Sequence, residues 1–146
     1  MLQRRPFGVT LLLWLVLSLL AWGAIRLLAA LRWWGVLYEF GARLSPPYLS
    51  ITGAGWVVAG GVLLWSMFSG KQWARLAVPI SVFLWLAEYW IERLMFELPR
   101  ANLPFASITS GLLLIVTLTS AFSRSTRNFF MKSEEYEQPN KYTESA

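Results

Sequence analysis

Four long apolar stretches limit the fold of this chain more than any other feature of its sequence. They cover residues 7–25, 49–69, 76–96 and 101–123, and only the third contains charged residues. An α-helix rises about 1.5 Å per residue, so each stretch is long enough to cross the hydrocarbon core of a bilayer, which is about 30 Å thick. The sequence therefore predicts an all-α fold, a four-helix transmembrane bundle over residues 1–123 followed by a polar tail over residues 124–146.

Composition supports a membrane location and excludes several kinds of chemistry. Hydrophobic residues make up 56% of the 146 residues, more than a soluble domain of this length can bury. Cysteine and histidine are absent, which removes disulfides, Cys/His zinc sites, His-ligated haem and His-based catalytic triads. We expect no enzymatic activity, no metal and no cofactor. The net charge of +5 is better explained by topology and lipid headgroups than by nucleic-acid binding.

Two segments differ from the four spans. Residues 26–43 mix charged residues with tryptophan and tyrosine, a pattern typical of an interfacial helix or of a first helix that continues into the headgroups. After Ser123 the chain becomes polar, and we expect a helical or interfacial start near Phe129 and Phe130 followed by a loose end.

Small residues recur at helical spacing in the second and fourth spans. Helices in lipid associate through close backbone approach, which small residues permit. We therefore expect Gly55 and Ala59, and likewise Ser110 and Thr117, to pack inside the bundle, although partner subunits could use the same faces. The full stripes are Thr52, Gly55, Ala59 and Ser66 in the second span, and Ala106, Ser110, Thr117 and Ala121 in the fourth.

The third span raises the main functional question, because Glu88 and Glu92 lie one turn apart on one face. By depth, Glu92 and Arg93 fall near the far interface and are expected to be solvated. Glu88 lies deeper and needs a partner, and Arg26 at the end of the first span is at the same level, which predicts a structural ion pair. The alternative is a proton or ligand site formed by Glu88, Glu92 and Trp85.

The chain resembles uncharacterised small four-span bacterial integral membrane proteins in three features. These are the start "RRPFGVTLL", the turn "SGKQWAR" and the polar C-terminal tail. The resemblance implies the four-span fold and no particular activity. Small multidrug transporters also have four spans, but they carry an essential glutamate in the first span, where this chain has no acid.

Two functions remain open from the sequence. The first is a non-enzymatic accessory or structural subunit of a larger membrane protein complex, in contact with membrane lipids and with protein partners or further copies of itself. The alternative is a small-molecule protein that binds or transports a lipid, quinone, pigment or cation around Glu88. Short connections and the lack of a catalytic constellation favour the first.

The distribution of basic residues predicts the orientation. With four spans, eight Lys and Arg residues fall on the side of the termini and five on the other side. The positive-inside rule then places both termini in the cytoplasm, with the protein in the inner or plasma membrane of the cell.

The chain has no native cysteine, so Gln72→Cys and Ala101→Cys can be tested singly with an impermeant thiol reagent on intact cells. We expect labelling at 101 only, and labelling at 72 only would invert the topology.

Overall fold

The computed structural model describes residues 5–41, 44–97 and 102–137, with side chains described as far as Ser133. These residues form six α-helices: α1 Phe7–Arg32, α2 Trp34–Glu39, α3 Pro46–Phe68, α4 Ala74–Phe96, α5 Leu103–Phe122 and α6 Arg124–Glu137. The long helices α1, α3, α4 and α5 are each long and apolar enough to cross a membrane. The predicted all-α bundle with four candidate spans is confirmed.

The first helix is longer than the predicted span. α1 continues through Arg32, and α2 follows after the single residue Trp33. The segment after residue 25 is therefore both a continuation of the first helix and a short separate helix. Tyr38 in α2 is exposed, as an aromatic residue of an interfacial segment would be. Arg43 lies outside the described residues.

A tight turn makes α3 and α4 antiparallel neighbours. Gly70 has φ 66°, and its N–H donates to the Met67 carbonyl at 3.2 Å, while the Lys71 N–H donates to the Ser66 carbonyl at 3.0 Å. This pair of hydrogen bonds is the Schellman motif that ends many helices at a glycine. α4 then begins at Ala74, two residues before the predicted span.

The closest helix contact is between α1 and α3, and it depends on glycine. A Cβ added at Gly23 would lie 2.7 Å from the Trp56 Cβ, and one at Gly53 would lie 2.7 Å from the Leu27 backbone nitrogen. At Gly60 an added Cβ would lie 2.8 Å from the Leu20 Cβ. The two backbones therefore pack at a distance that leaves no room for larger residues.

The predicted packing face of α3 is wrong at Gly55. Gly55 is exposed, and an added Cβ there would meet no atom within 4 Å, while Ala59 is only half-buried. The packed face contains Gly53 and Gly60 instead. Two positions correspond to about 200° around a helix, so Gly55 points nearly opposite to Gly53. Ser66, at the other end of the predicted stripe, is fully buried. Glycine, alanine and serine occur on both faces, and composition alone does not distinguish them.

The predicted stripe of α5 does point inward. Thr117 and Ala121 are fully buried, Ala106 is 7% exposed, and half-buried Ser110 accepts a hydrogen bond from the Trp90 Nε1 at 3.2 Å. The rest of α5 is largely exposed.

The C-terminal segment is helical from Arg124, earlier than the expected start near Phe129 and Phe130. Thr126 and Phe130 are buried, so α6 packs across one end of the bundle. A Cβ on Gly70 would lie 2.6 Å from the Ser133 Cβ, which places α6 directly over the α3–α4 turn. Residues after Glu137 lie outside the described part of the chain.

Two identical substitutions on α3 test this packing. Gly53→Ala should lower the free energy of unfolding by about 1–3 kcal/mol, because the new methyl group forces the α1 and α3 backbones apart. Gly55→Ala should be neutral or stabilising by up to about 1 kcal/mol, because alanine has the higher helix propensity and the site is open. Thermal unfolding in one detergent measures both. Equal losses at the two positions would contradict the observed packing face.

Candidate functional site

Three helices bring charged and aromatic side chains together near one end of the bundle. α1 supplies Arg26, and α4 supplies Glu88 and Glu92 from successive turns of one face. α3 supplies Tyr48 and Trp56. These five residues are called the Arg26 cluster.

Arg26 pairs with both carboxylates. Its Nη1 lies 3.3 Å from the Glu88 Oε1 and 3.2 Å from the Glu92 Oε2, and its Nη2 lies 2.7 Å from the Glu92 Oε1. The guanidinium thus donates to Glu92 through two nitrogens and to Glu88 through one. The exposed fractions of the three side chains are 9% for Arg26, 17% for Glu88 and 16% for Glu92. Ion pairs so poorly hydrated are strengthened by the low local dielectric, provided that every partner is present.

Two aromatic side chains of α3 complete the cluster. The Tyr48 hydroxyl donates to the Glu92 Oε1 at 2.9 Å, and the Trp56 Nε1 donates to the Glu88 Oε2. The Arg26 guanidinium also lies over the Tyr48 ring, 5.9 Å from its centroid. As a result all four carboxylate oxygens of Glu88 and Glu92 accept a hydrogen bond from the chain itself.

The predicted contact between Arg26 and Glu88 is present, but the expected solvation of Glu92 and Arg93 is not observed: their side chains are 16% and 14% exposed. Glu92 makes the shorter contact with Arg26 and is as poorly exposed as Glu88. The reason is geometric: residues four apart share a helix face, and the planar guanidinium fork reaches both. Depth along the axis alone placed Glu92 in the headgroups.

Tyr48 and Trp56 were not predicted as members of the site. A signal was available in their chemistry, since buried tyrosine and tryptophan need a partner for their O–H or N–H group. The sequence does not show which acid would accept, because that depends on the rotation of α3 against α4.

Arg93 follows Glu92 in sequence but lies on a different face of α4. Its Nε is 3.2 Å from the Glu97 Oε2, and its Nη1 donates to the Tyr89 hydroxyl. The Glu97 side chain is 53% exposed. This second ion pair marks the far end of α4.

Trp85 belongs to a cavity and not to the Arg26 cluster. The cavity has a volume of about 380 Å³ and lies between α4 and α5. Trp85 stacks on Tyr89 with ring centroids 6.1 Å apart and meets Trp22 of α1 edge-on at 6.0 Å. Neither Glu88 nor Glu92 lines the cavity. The structure therefore divides the predicted ligand site into an acidic part and an aromatic part.

The Arg26 cluster joins α1, α3 and α4 through hydrogen bonds and ion pairs. No group of three or more metal-ligating side chains occurs among residues 5–41, 44–97 and 102–133. Since each carboxylate oxygen already has an internal donor, a further ligand at Glu88 would have to break an existing hydrogen bond. Comparison of the chain with protein-family models, with curated proteins and with solved structures finds no match. Function is therefore inferred from the geometry of the cluster and of the cavity.

Substitutions that remove one charge at a time measure how much each charged residue of the Arg26 cluster contributes to stability. Arg26→Gln should cost about 3–5 kcal/mol of stability, because it leaves two poorly solvated carboxylates without a counter-charge. Glu92→Gln should cost more than Glu88→Gln, since Glu92 makes two contacts with Arg26. The double variant Arg26→Gln with Glu92→Gln should recover part of the loss, as expected for residues in contact.

Thermal unfolding in one detergent, with Glu97→Gln as the exposed control, measures these effects. The control should change stability by less than about 1 kcal/mol. Strictly additive losses in the double variant, or a loss at Glu97 as large as that at Glu92, would contradict the cluster.

Proposed function

We propose that this chain is a non-enzymatic accessory or structural subunit of a larger membrane protein complex. The observation that carries the proposal is the complete internal pairing of Glu88 and Glu92. Ionisable residues inside a membrane protein are functional candidates by default. Here they join α1, α3 and α4 of the same chain, so their role is to fix the bundle.

The outer surface supports contact with other membrane helices. In α5 only 17% of the most apolar window is buried, against 28% in each of the other three long helices. On α3, exposed Gly55 and half-buried Ala59 lie one turn apart on a face that the bundle does not use. Small residues at this spacing permit a partner helix to approach the backbone closely.

We place the subunit in the inner or plasma membrane with both termini in the cytoplasm. Among the described residues, six basic side chains lie at the end of the bundle formed by the start of α1, the α3–α4 turn and α6, and three lie at the other end. Of those three, Arg26 is neutralised inside the bundle, which strengthens the bias. The six are Arg5, Lys71, Arg75, Arg124, Arg127 and Lys132.

Aromatic residues at the basic end fit a position at a membrane interface. Arg5 lies over the Phe68 ring at 5.1 Å, and Lys71 lies over the Trp65 ring at 5.8 Å. Cations beside aromatic rings are typical of the interface between headgroups and hydrocarbon.

The second candidate function is small-molecule binding, and the cavity between α4 and α5 is the observation that favours it. The centre of such a site moves from Glu88, where the sequence placed it, to Trp85 and Tyr89. The Arg26 cluster would then support the site from the neighbouring face of α4.

Native mass spectrometry of gently solubilised protein tests the subunit proposal. We expect a complex of fixed stoichiometry with other membrane proteins. Gly55→Phe should weaken that complex without lowering the unfolding temperature of the isolated chain, because the substitution fills only the outer face of α3. Gly61→Phe is the control, because an added Cβ there also meets no atom within 4 Å and the position lies about 120° around α3 from Gly55. Recovery of the chain only as a monomer, or as a homo-oligomer that carries an organic ligand, would contradict the proposal.

A further inference from the structure

The cavity between α4 and α5 has the size and shape of a binding slot. Its volume of about 380 Å³ falls within the range of about 300–1,000 Å³ typical of ligand pockets. Along α4 it extends from Trp85 to Arg93, and along α5 from the N-cap residue Asn102 to Leu113. At about 1.5 Å per residue these lengths are roughly 12 Å and 16 Å, so the slot is elongated along the helix axes.

The slot is apolar at depth and polar at its mouth. Leu86, Leu113 and the Trp85 ring line the deep part, and Arg93 and Asn102 line the part next to the α4–α5 connection. Small Ala106 leaves the space that a larger residue would fill. An amphipathic molecule aligned with the helices matches this gradient.

At the mouth, Arg93 lines the cavity and pairs with Glu97, which lies beside the cavity without lining it. The Arg93 Nε lies 3.2 Å from the Glu97 Oε2, and the Glu97 carboxylate is the more exposed of the two side chains, 53% against 14%. A cation and an anion side by side are complementary to a headgroup that itself carries an anion and a cation. A phosphate would be attracted to the guanidinium, which suits phosphate oxygens, and an ammonium group to the carboxylate.

We propose that the slot holds one acyl chain of a zwitterionic aminophospholipid, with the phosphate at Arg93 and the primary ammonium group at Glu97. The Trp85, Tyr89 and Phe105 rings contact the chain, and the headgroup stays at the membrane interface. This site is separate from the subunit surface on α3, and its existence does not depend on the subunit proposal.

Two matched substitutions on α5 test the slot. Thr109 and Ser107 are both exposed, and each hydroxyl donates to the carbonyl four residues earlier, at 2.8 Å and 2.9 Å. Only Thr109 lines the cavity. Thr109→Phe should fill the slot, and Ser107→Phe should add the same ring to α5 outside the slot.

The measurement is the unfolding temperature of delipidated protein in detergent, titrated with phosphatidylethanolamine. The lipid should raise the unfolding temperature of the wild type and of Ser107→Phe. Thr109→Phe should weaken the apparent affinity about tenfold or more, the effect of losing two buried methylene groups. The water-soluble headgroup glycerophosphoethanolamine should have no effect, because it lacks the acyl chain.

A separate variant, Glu97→Gln, tests the assignment of the headgroup. Glu97→Gln removes the charge that faces the ammonium group, so the preference for phosphatidylethanolamine over phosphatidylglycerol should disappear while phosphatidylglycerol still binds. Equal stabilisation of the wild type by the two lipids would overturn the headgroup assignment. Equal responses of Thr109→Phe and Ser107→Phe, stabilisation by the soluble headgroup alone, or no lipid response at all would overturn the slot.

Discussion

The positive charge of Arg26 is the constraint on which the rest of the bundle depends. A guanidinium that is 9% exposed in an apolar helix has to find acids and hydrogen-bond acceptors in its own protein. Glu88 and Glu92 supply them only if α4 presents one face to α1. Glycine then allows α3 to join, because Gly23 lies against Trp56 and a Cβ at Gly23 would meet the Trp56 Cβ at 2.7 Å. The charge cluster and the close α1–α3 contact are therefore parts of one arrangement.

The helix α4 separates two environments. Glu88 and Glu92 face α1 and α3, whereas Trp85, Tyr89 and Arg93 face the cavity beside α5. The α1–α3 contact leaves no space for an added Cβ, while the α4–α5 contact leaves about 380 Å³. The bundle thus combines a closely packed half with an open half, and α4 joins them through side chains on two neighbouring faces about 80° apart.

Length and hydropathy predict the four long helices well, because membrane insertion depends on these same properties. Depth along the helices also identifies Arg26 and Glu88 as neighbours. Rotation about the helix axis is harder to predict, since both faces of a span are apolar. This explains the misplaced packing face at Gly55 and the unexpected burial of Glu92. For the same reason, the sequence does not predict that Tyr48 belongs to the Arg26 cluster. The start "PYLSIT" of α3 is similar to "PFASIT" in α5, but only the tyrosine carries the hydroxyl that reaches Glu92.

The distance in sequence between the partners of the Arg26 cluster has a consequence for synthesis at the ribosome. Arg26 and Glu88 are 62 residues apart. At translation rates of about 5–20 residues per second, α1 is complete roughly 3–12 s before its counter-charges are made. Arg26 directly follows the charge-free residues 7–25, so its long side chain can reach the headgroups during that interval. The ion pairs between α1 and α4 can form only afterwards, so the final packing of α1 follows the synthesis of α4.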